Sequence, residues 1–263
     1  MSKSNDILNF TLREGADLVG IVRVENLMKC HPWRPPDRLL SEAKSVIVFA
    51  LRHTYGGLDT PVMRIAISEA QTIYNELNRI GYHLCRFLEG NGFLGLTIHP
   101  FSPLEITAET KGLVGDFSLR HAAASAGLGF IGRNNLLITR EFGPRVRLAA
   151  VITDATLEAS TRHIESKCGS CTVCIENCPG KAISMEGIDL RLCAKVVGGP
   201  AGLNALIRFL SGLVDKPKEE LKKIIRSPEL WNFHQALSVG ISFDCHSCMT
   251  ICPLGRKNAQ RAS

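Results

Sequence analysis

The sequence has no clean apolar run of about 20 residues, the length a membrane-spanning helix requires. Its longest weakly charged stretch, residues 196–214, is broken by Gly198, Gly199, Pro200, Gly202, Asn204 and Arg208. The segment Met1 to Phe10 carries Asp6 and no apolar h-region, so neither a secretory signal nor a membrane partner is expected. Walker A, H-E-x-x-H and G-x-S-x-G sequences are absent, which removes familiar routes to phosphate binding, zinc proteolysis and serine hydrolysis. Strong charge is lacking too. The 31 Lys and Arg against 25 Asp and Glu leave a net charge of +6, too mild to identify nucleic acid as a partner. Together these absences point to a cytoplasmic protein.

What remains is ordinary globular composition: 45% hydrophobic and 21% charged residues argue against disorder. At roughly 150 residues per domain, 263 residues allow one large domain or two small ones. A chain of this length buries a substantial core without staples.

The ten cysteines are placed unevenly. Cys30 and Cys85 stand alone in the first 160 residues, and eight fall between Cys168 and Cys252. In a cytosolic chain such clustering points to metal or redox chemistry rather than disulfides. The break near Ser160 therefore divides residues 1–160 from 161–263. The spacing is Cys168-x2-Cys171-x2-Cys174-x3-Cys178-Pro179, then Cys193, then Cys245-x2-Cys248-x3-Cys252-Pro253. The first run is the bacterial ferredoxin pattern for a 4Fe–4S cluster, in which the cysteine before proline serves the neighbouring cluster. By that rule Cys168, Cys171 and Cys174 share a cluster with Cys252. The second run has Ser242 where its leading cysteine would fall, and Cys193 can replace it. That leaves Cys178, Cys193, Cys245 and Cys248 for a second cluster, and no cysteine of the eight is left over. Four-cysteine zinc sites also use C-x2-C pairs, but they do not require the C-x2-C-x2-C-x3-C-P run. Cys85, in an apolar periodic stretch, reads as a small core residue. Cys30, beside His31 and Pro32, is weak support for a cofactor contact.

Helical spacing marks residues 7–14, closed by Gly15, and 61–89, with Gly81 as a weak point and Gly90 as the end. Strands are expected at 17–24, 46–51, 94–98, 135–139 and 146–152, with a helix at 119–126. The run Val46 to Leu51 has the continuous apolar character of a strand covered on both faces. It feeds a polar turn at residues 52–57, and ligands in α/β sheets gather at such strand ends. Residues 1–160 thus read as a layered α/β or α+β domain. Helices at 200–214, 217–225 and 228–239 form an insert between the cysteine runs, spanning about 196–239.

Two apparent motifs fail. Gly127-Leu-Gly-Phe-Ile-Gly132 matches G-x-G-x-x-G, but a helix precedes it and a strand follows, the reverse of a dinucleotide fingerprint. Its glycines permit close backbone approach to a ligand or simply a tight turn. Asp244-Cys245-His246 resembles the start of the Asp-x-His-x-x-Gly motif of many corrinoid proteins, but position 249 is Met and Cys245 belongs to a cluster.

The chain resembles the iron–sulfur and corrinoid reductases that include epoxyqueuosine reductase and the reductive dehalogenases. The residues that carry the resemblance are Gly115-Asp-Phe-Ser-Leu-Arg-His121, Ala126-Gly-Leu-Gly-Phe-Ile-Gly-Arg-Asn-Asn135, the segment from Leu136 to Leu148, and both cysteine runs. It implies a nitroreductase-like α/β domain that holds cobalamin, base-off, beside a double-cubane ferredoxin-like domain with a helical insert. It implies further that electrons pass through two 4Fe–4S clusters to cobalt, which attacks or reduces the substrate. Carried over, Cys168, Cys171, Cys174 and Cys252 hold the cluster nearer the cofactor, and Cys178, Cys193, Cys245 and Cys248 the outer one. Gly127, Gly129 and Gly132 approach the corrinoid through their backbone, with Arg133, Asn134 and Asn135 as polar contacts.

The chain also departs from that pattern. The acidic residue proposed as proton donor in epoxyqueuosine reductases falls near Leu113, and the nearest acids are Asp116 and Glu109. Asp116 is either the general acid, held protonated in a dry pocket, or the N-cap of the following helix. The chain ends ten residues after Pro253, without the C-terminal helical repeats that resemble a tRNA-gripping extension, which weakens tRNA as a partner. It also lacks the twin-arginine signal of exported dehalogenases. Arg133, Arg140, Arg145 and Arg147 read either as contacts to a corrinoid phosphate or RNA, or as a solvated strand edge. The expectation is an oxidoreductase acting on a small-molecule or nucleoside substrate and served by a low-potential electron donor. An electron-transfer protein delivering electrons to a partner, or a reductase with flavin in place of cobalamin, stays open.

Overall fold

A computed structural model describes residues 3–27, 35–101, 115–160, 164–197, 203–224 and 245–255, with isolated positions between 227 and 234. Cys30, Leu113, Glu109, Ser242 and most of the expected helix at 228–239 lie outside the described residues. Among the described residues, no helix is long and apolar enough to cross a membrane.

The chain folds as mixed helix and sheet. Helix α1 (Lys3–Arg13) leads into β1 (Leu18–Arg23), the short α2 (Val24–Leu27) and β2 (Ser45–Arg52). A single turn, α3 (Tyr55–Leu58), precedes the long α4 (Met63–Gly90) and β3 (Gly95–Ile98). Then come α5 (Leu119–Ser125), β4 (Gly129–Ile131), β5 (Leu137–Thr139) and β6 (Val146–Thr153). The main sheet has the order β1-β2-β6-β3 and every pairing in it is antiparallel. The apolar run on β2 reported coverage of both faces, not strand direction. No parallel βαβ unit is present in this sheet, which is why the glycine segment cannot serve as a dinucleotide fingerprint.

Residue parity sorts the core. Successive strand side chains point to opposite faces, so Ile21, Ile47, Phe49, Ala149 and Val151 face one side and pack with Ile73, Leu77, Ile80, Leu84 and Leu88 of α4. Val22, Val46, Val48, Ala50, Ala150 and Ile152 face the other and meet Ala122, Ala123 and Ala126 at α5. The sheet is thus the middle layer between α1 with α4 and α5. Gly81, expected as a weak point of α4, has a packing reason: a Cβ there would stand 2.6 Å from Cγ2 of Thr97 on β3.

The glycine-rich segment forms a hairpin in which β4 pairs with β5, Gly129 opposite Thr139. A strand at 129–131 was not expected. Beyond residue 164 the regular elements are short: α6 (Val173–Glu176), α7 (Leu190–Val197), α8 (Leu203–Ser211), α9 (Lys218–Ile224) and α10 (Ser247–Thr250). Among the described residues of this part, the buried apolar side chains are Ala182, Ile183 and Met249. So small an apolar core stabilises little by itself, as in small domains that rely on a bound metal.

Candidate functional site

The eight clustered thiols influence one another in two sets. Burial pushes the Cys174 thiol up, and Cys168, Cys171 and Cys252 add to the shift. Cys252 is raised by burial and by Cys168 and Cys171, against the pull of the Leu254 backbone and Arg145. Burial also carries Cys248 up to about 12, reinforced by Cys245, Cys193, Cys174 and Cys178. One set thus involves Cys174 and Cys252 with Cys168 and Cys171, the other Cys248 with Cys245, Cys193 and Cys178, and Cys174 acts on Cys248 as well. Among the described residues no three His, Cys, Asp or Glu side chains converge on one ion position. A cubane does not ask for that, since its thiolates sit at separate corners. Thiols are a donor set that an iron cluster would take as thiolates, and the crowding that raises Cys174, Cys248 and Cys252 would be relieved by it.

The loops that carry these thiols hang on the sheet domain through buried polar groups. Arg145, 3% exposed, donates from its guanidinium to the carbonyls of Leu254 at 2.9 Å, Thr250 at 2.9 Å and Cys252 at 2.7 Å. Arg133 donates to the carbonyls of Cys171 and Gly169. Buried Asn134 donates to the carbonyl of Cys248 at 3.2 Å. Gly143 and Gly255, both at positive φ, lie back to back, and a Cβ on Gly143 would overlap the Leu254 carbonyl. The basic stretch thus splits. Arg140 is exposed, whereas Arg145 is buried in the junction and is not part of a solvated strand edge.

Beside this junction lies a cavity of about 640 Å³, within the range of small-molecule sites. Its walls include Tyr74, Phe101, Asp116, Arg120, Arg147 and Leu190, the last of these on α7 three positions before Cys193. Tyr74 stacks on Phe101 with ring centroids 5.4 Å apart. Burial lowers the pKa of Arg120, which donates to the Asn135 carbonyl. Asp116 lines the cavity but is exposed, so the dry setting expected for a protonated carboxyl is not what surrounds it. Nor is it the N-cap of α5, a position held by Ser118.

Gly127, Gly129, Gly132, Arg133, Asn134 and Asn135 are not among the residues lining this cavity. Gly127, at φ +74°, follows the end of α5, and Asn135 adopts φ +60°. A Cβ at Gly129 would overlap the Ile138 backbone, and one at Gly132 would stand 2.7 Å from Ile138 Cγ1. The close approach those glycines permit is to β5.

Sequence reasoning missed a polar chain, built on two buried histidines, that joins the cavity to the second cysteine run. The Glu69 carboxylate accepts from the amide and hydroxyl of Thr54 and meets His53 Nδ1 at 3.1 Å. His53 Nε2 accepts from Arg147 Nε at 3.0 Å, and Arg147 Nη2 lies 3.0 Å from His246 Nε2. Arginine can only donate, so both imidazoles present a bare Nε2 and carry their proton on Nδ1. Burial, with Arg147 alongside, pushes the pKa of His53 down to about 4. Burial pushes Glu69 up, but the bonds from Thr54 and His53 outweigh it and leave the carboxyl below its usual range. Arg147 also lies over the Tyr74 ring, 5.3 Å from its centroid. The turn at 52–57 and the failed motif at 244–246 each contained one of the two histidines. Nothing in the sequence connected them.

No protein-family model matches the chain. It is 32% identical over 146 residues to the tetrachloroethene reductive dehalogenase of Dehalobacter restrictus (strain DSM 9455 / PER-K23), covering 54% of this chain and 24% of that one. It is 28% identical over 232 residues to the epoxyqueuosine reductase of Bacillus subtilis (strain 168), covering 84% of this chain and 50% of that one. The chain thus spans half or less of the length of these curated relatives. An epoxyqueuosine reductase solved with an epoxyqueuosine-modified tRNA stem loop superposes with a TM-score of 0.61 at 21% identity, over 96% of this chain and 65% of that one. A reductive dehalogenase whose structure suggests a mechanism for B12-dependent dehalogenation gives 0.63 at 17% identity, over 96% and 32%. The relatives are named reductases, and the fold is shared with both kinds.

Proposed function

We propose that the chain is an iron–sulfur oxidoreductase with two 4Fe–4S clusters. Cys168, Cys171, Cys174 and Cys252 hold one, and Cys178, Cys193, Cys245 and Cys248 hold the other. What supports this reading is the ferredoxin spacing of the eight cysteines in the sequence, with which the mutual influence of their thiols is consistent. On this reading residues 1–160 are the nitroreductase-like, cofactor-binding domain, and residues 161–263 the ferredoxin-like one with its helical insert. When bound, the clusters supply single electrons, and a cobalamin in the adjoining cavity would supply a metal-centred reductant.

The chain's own residues do the rest. Tyr74 and Phe101 give the cavity aromatic walls, and Arg120 and Arg147 give it positive charge, a lining suited to a flat ligand with anionic groups. Leu190 and Arg147 bring that cavity to the edge of the cysteine loops, so an electron need cross only a short protein layer. Asp116 is an exposed carboxyl on the cavity wall. A small-molecule or nucleoside substrate and a low-potential donor complete the reaction. Transfer RNA enters only by analogy with the relative solved with a stem loop.

Electron paramagnetic resonance on anaerobically reconstituted protein with added cob(II)alamin tests the assignment. Two reduced-cluster signals beside a protein-perturbed, base-off cobalt signal are expected. An unchanged free-cobalamin spectrum with both clusters present removes the corrinoid, and flavin binding is then measured by fluorescence. Two intact clusters that reduce a partner protein but turn over no substrate would make the chain an electron carrier instead.

A further inference from the structure

The polar chain from Glu69 to His246, with its two histidines buried and Glu69 and Arg147 half-buried, has a fixed polarity. At one end a carboxylate is held by Thr54 on the β2–α3 turn. At the other the Arg147 guanidinium lies 3.0 Å from the His246 ring, between Cys245 and the turn that carries Cys248. A whole imidazole, that of His53, separates the two charges. His53 and His246 are both buried, at 3% and 4% exposure. The arrangement is an oriented dipole, negative on α4 and positive toward the second cysteine loop. Because both imidazoles are bound through Nε2 to a group that cannot give up its charge, the dipole is permanent.

We propose that Arg147, held in place by His53 and Glu69, is a positioning residue that sets the reduction potential of the cluster on Cys178, Cys193, Cys245 and Cys248. This rests on the cluster assignment proposed above. Cluster potentials follow net charge, hydrogen bonding and solvent exposure around the sulfurs. One electron taken from a low-potential donor makes the cluster site more negative by one unit. A fixed cation in contact with the ring that follows Cys245 in sequence favours that reduced form. The Arg145 guanidinium, buried, sits at the other thiol group on the Cys252 carbonyl, whereas Arg147 is half-buried. Arg147 is the one that also lines the cavity and lies over Tyr74. A charged ligand in the cavity would therefore be sensed by this cluster through the same guanidinium.

The test is a redox titration with dithionite, followed by electron paramagnetic resonance, on reconstituted wild type, Arg147→Met, Arg147→Lys and His53→Phe, with iron content measured on each. Arg147→Met should retain both clusters and lower one midpoint by at least a tenfold change in the reduction equilibrium, about 59 mV for a one-electron couple. Arg147→Lys, which keeps the charge but cannot span two imidazoles, should restore most of the difference. His53→Phe should give a partial shift in the same cluster. If Arg147→Met has full iron and two unchanged midpoints, the proposal is overturned. If Arg147→Met fails to incorporate iron, an unchanged midpoint in His53→Phe with full iron overturns it instead. Cys245→Ser identifies which signal belongs to the second group. Should it remove neither signal, the cluster assignment itself has failed, and the role of Arg147 falls with it for that separate reason.

Discussion

Replacing Arg145 with Met should detach the last cysteine from the sheet domain. The guanidinium makes three hydrogen bonds, to the carbonyls of Leu254, Thr250 and Cys252, at 2.7 to 2.9 Å. Hydrogen bonds to charged groups each contribute about 1.5–3 kcal/mol. Thr250, Cys252 and Leu254 are only partly buried, so their carbonyls can recruit water once the guanidinium is gone, which favours the low end and less than full additivity. The expected cost is about 2–4 kcal/mol for the junction. At about 2–4 °C per kcal/mol for a chain of this size, the apparent melting midpoint should fall by roughly 4–16 °C. Because the released segment carries Cys252, iron bound by the Cys168, Cys171 and Cys174 group should fall as well, while the second group keeps its own. Thermal unfolding and iron analysis of the anaerobic protein measure both. Arg145→Lys, which can serve one or two of the carbonyls, should fall between. An Arg145→Met protein with wild-type midpoint and full iron would refute the view that this residue clamps the cysteine loop.

Other expectations follow from the same geometry. Cys193→Ala should halve the bound iron and leave the signal of the other cluster intact; unchanged iron would remove Cys193 from the second group. Gly143→Ala should destabilise the junction much as Arg145→Met does, because its φ of +58° disfavours a side chain and the Leu254 carbonyl fills the space a Cβ needs; a wild-type melting curve would argue against that contact. Asp116→Asn should abolish turnover and retain both clusters if its carboxyl delivers the proton, and full activity would exclude it. His53 adds an acid limb to stability. It faces Glu69 of α4, Arg147 of β6 and His246, and its folded pKa of about 4 lies below the unfolded value of about 6.5. The unfolded chain therefore binds the proton first. Stability should drop by about 3 kcal/mol as pH falls from about 6.5 to 4 and lose no more to His53 below that. Glu69, its pKa depressed, adds a further loss at lower pH. Urea midpoints against pH for wild type and His53→Gln should differ in the limb between 6.5 and 4, and superimposable curves would exclude His53 as its source.

Much of the fold could be read from local pattern. The apolar run of β2 and the helical spacing of α4 are set by burial, and burial leaves a period in the sequence. The proposed cluster ligation rests on an equally plain pattern, thiols at the short fixed intervals of the ferredoxin run. The glycine segment was harder. Gly129 and Gly132 are small because β5 packs against them, and a composition that permits a ligand equally permits a strand. Arg133, Asn134 and Arg145 have the residue types of a phosphate site yet act on backbone carbonyls more than a hundred positions away in two of the three cases. Such long-range pairing has no local signature. The Glu69–His53–Arg147–His246 chain is the extreme example, with members drawn from α4, the end of β2, β6 and the last cysteine loop.

The strand order carries a consequence for how the protein matures. β6 lies between β2 and β3, so the sheet cannot close until the last of its four strands has been synthesised. Pairing between segments so distant in sequence is slow, because the intervening chain must be ordered before any contact rewards it. The arginines that seat the cysteine loops belong to this same late strand and the residue before it. Cys252 emerges roughly a hundred residues later, about 5–20 s of synthesis. During that interval Cys168, Cys171, Cys174 and Cys178 are already made but cannot complete either set of four. The nascent thiols are then exposed to oxidation and to adventitious zinc, so yield of the correctly metallated protein should depend on oxygen and on iron–sulfur assembly capacity while the chain is being made.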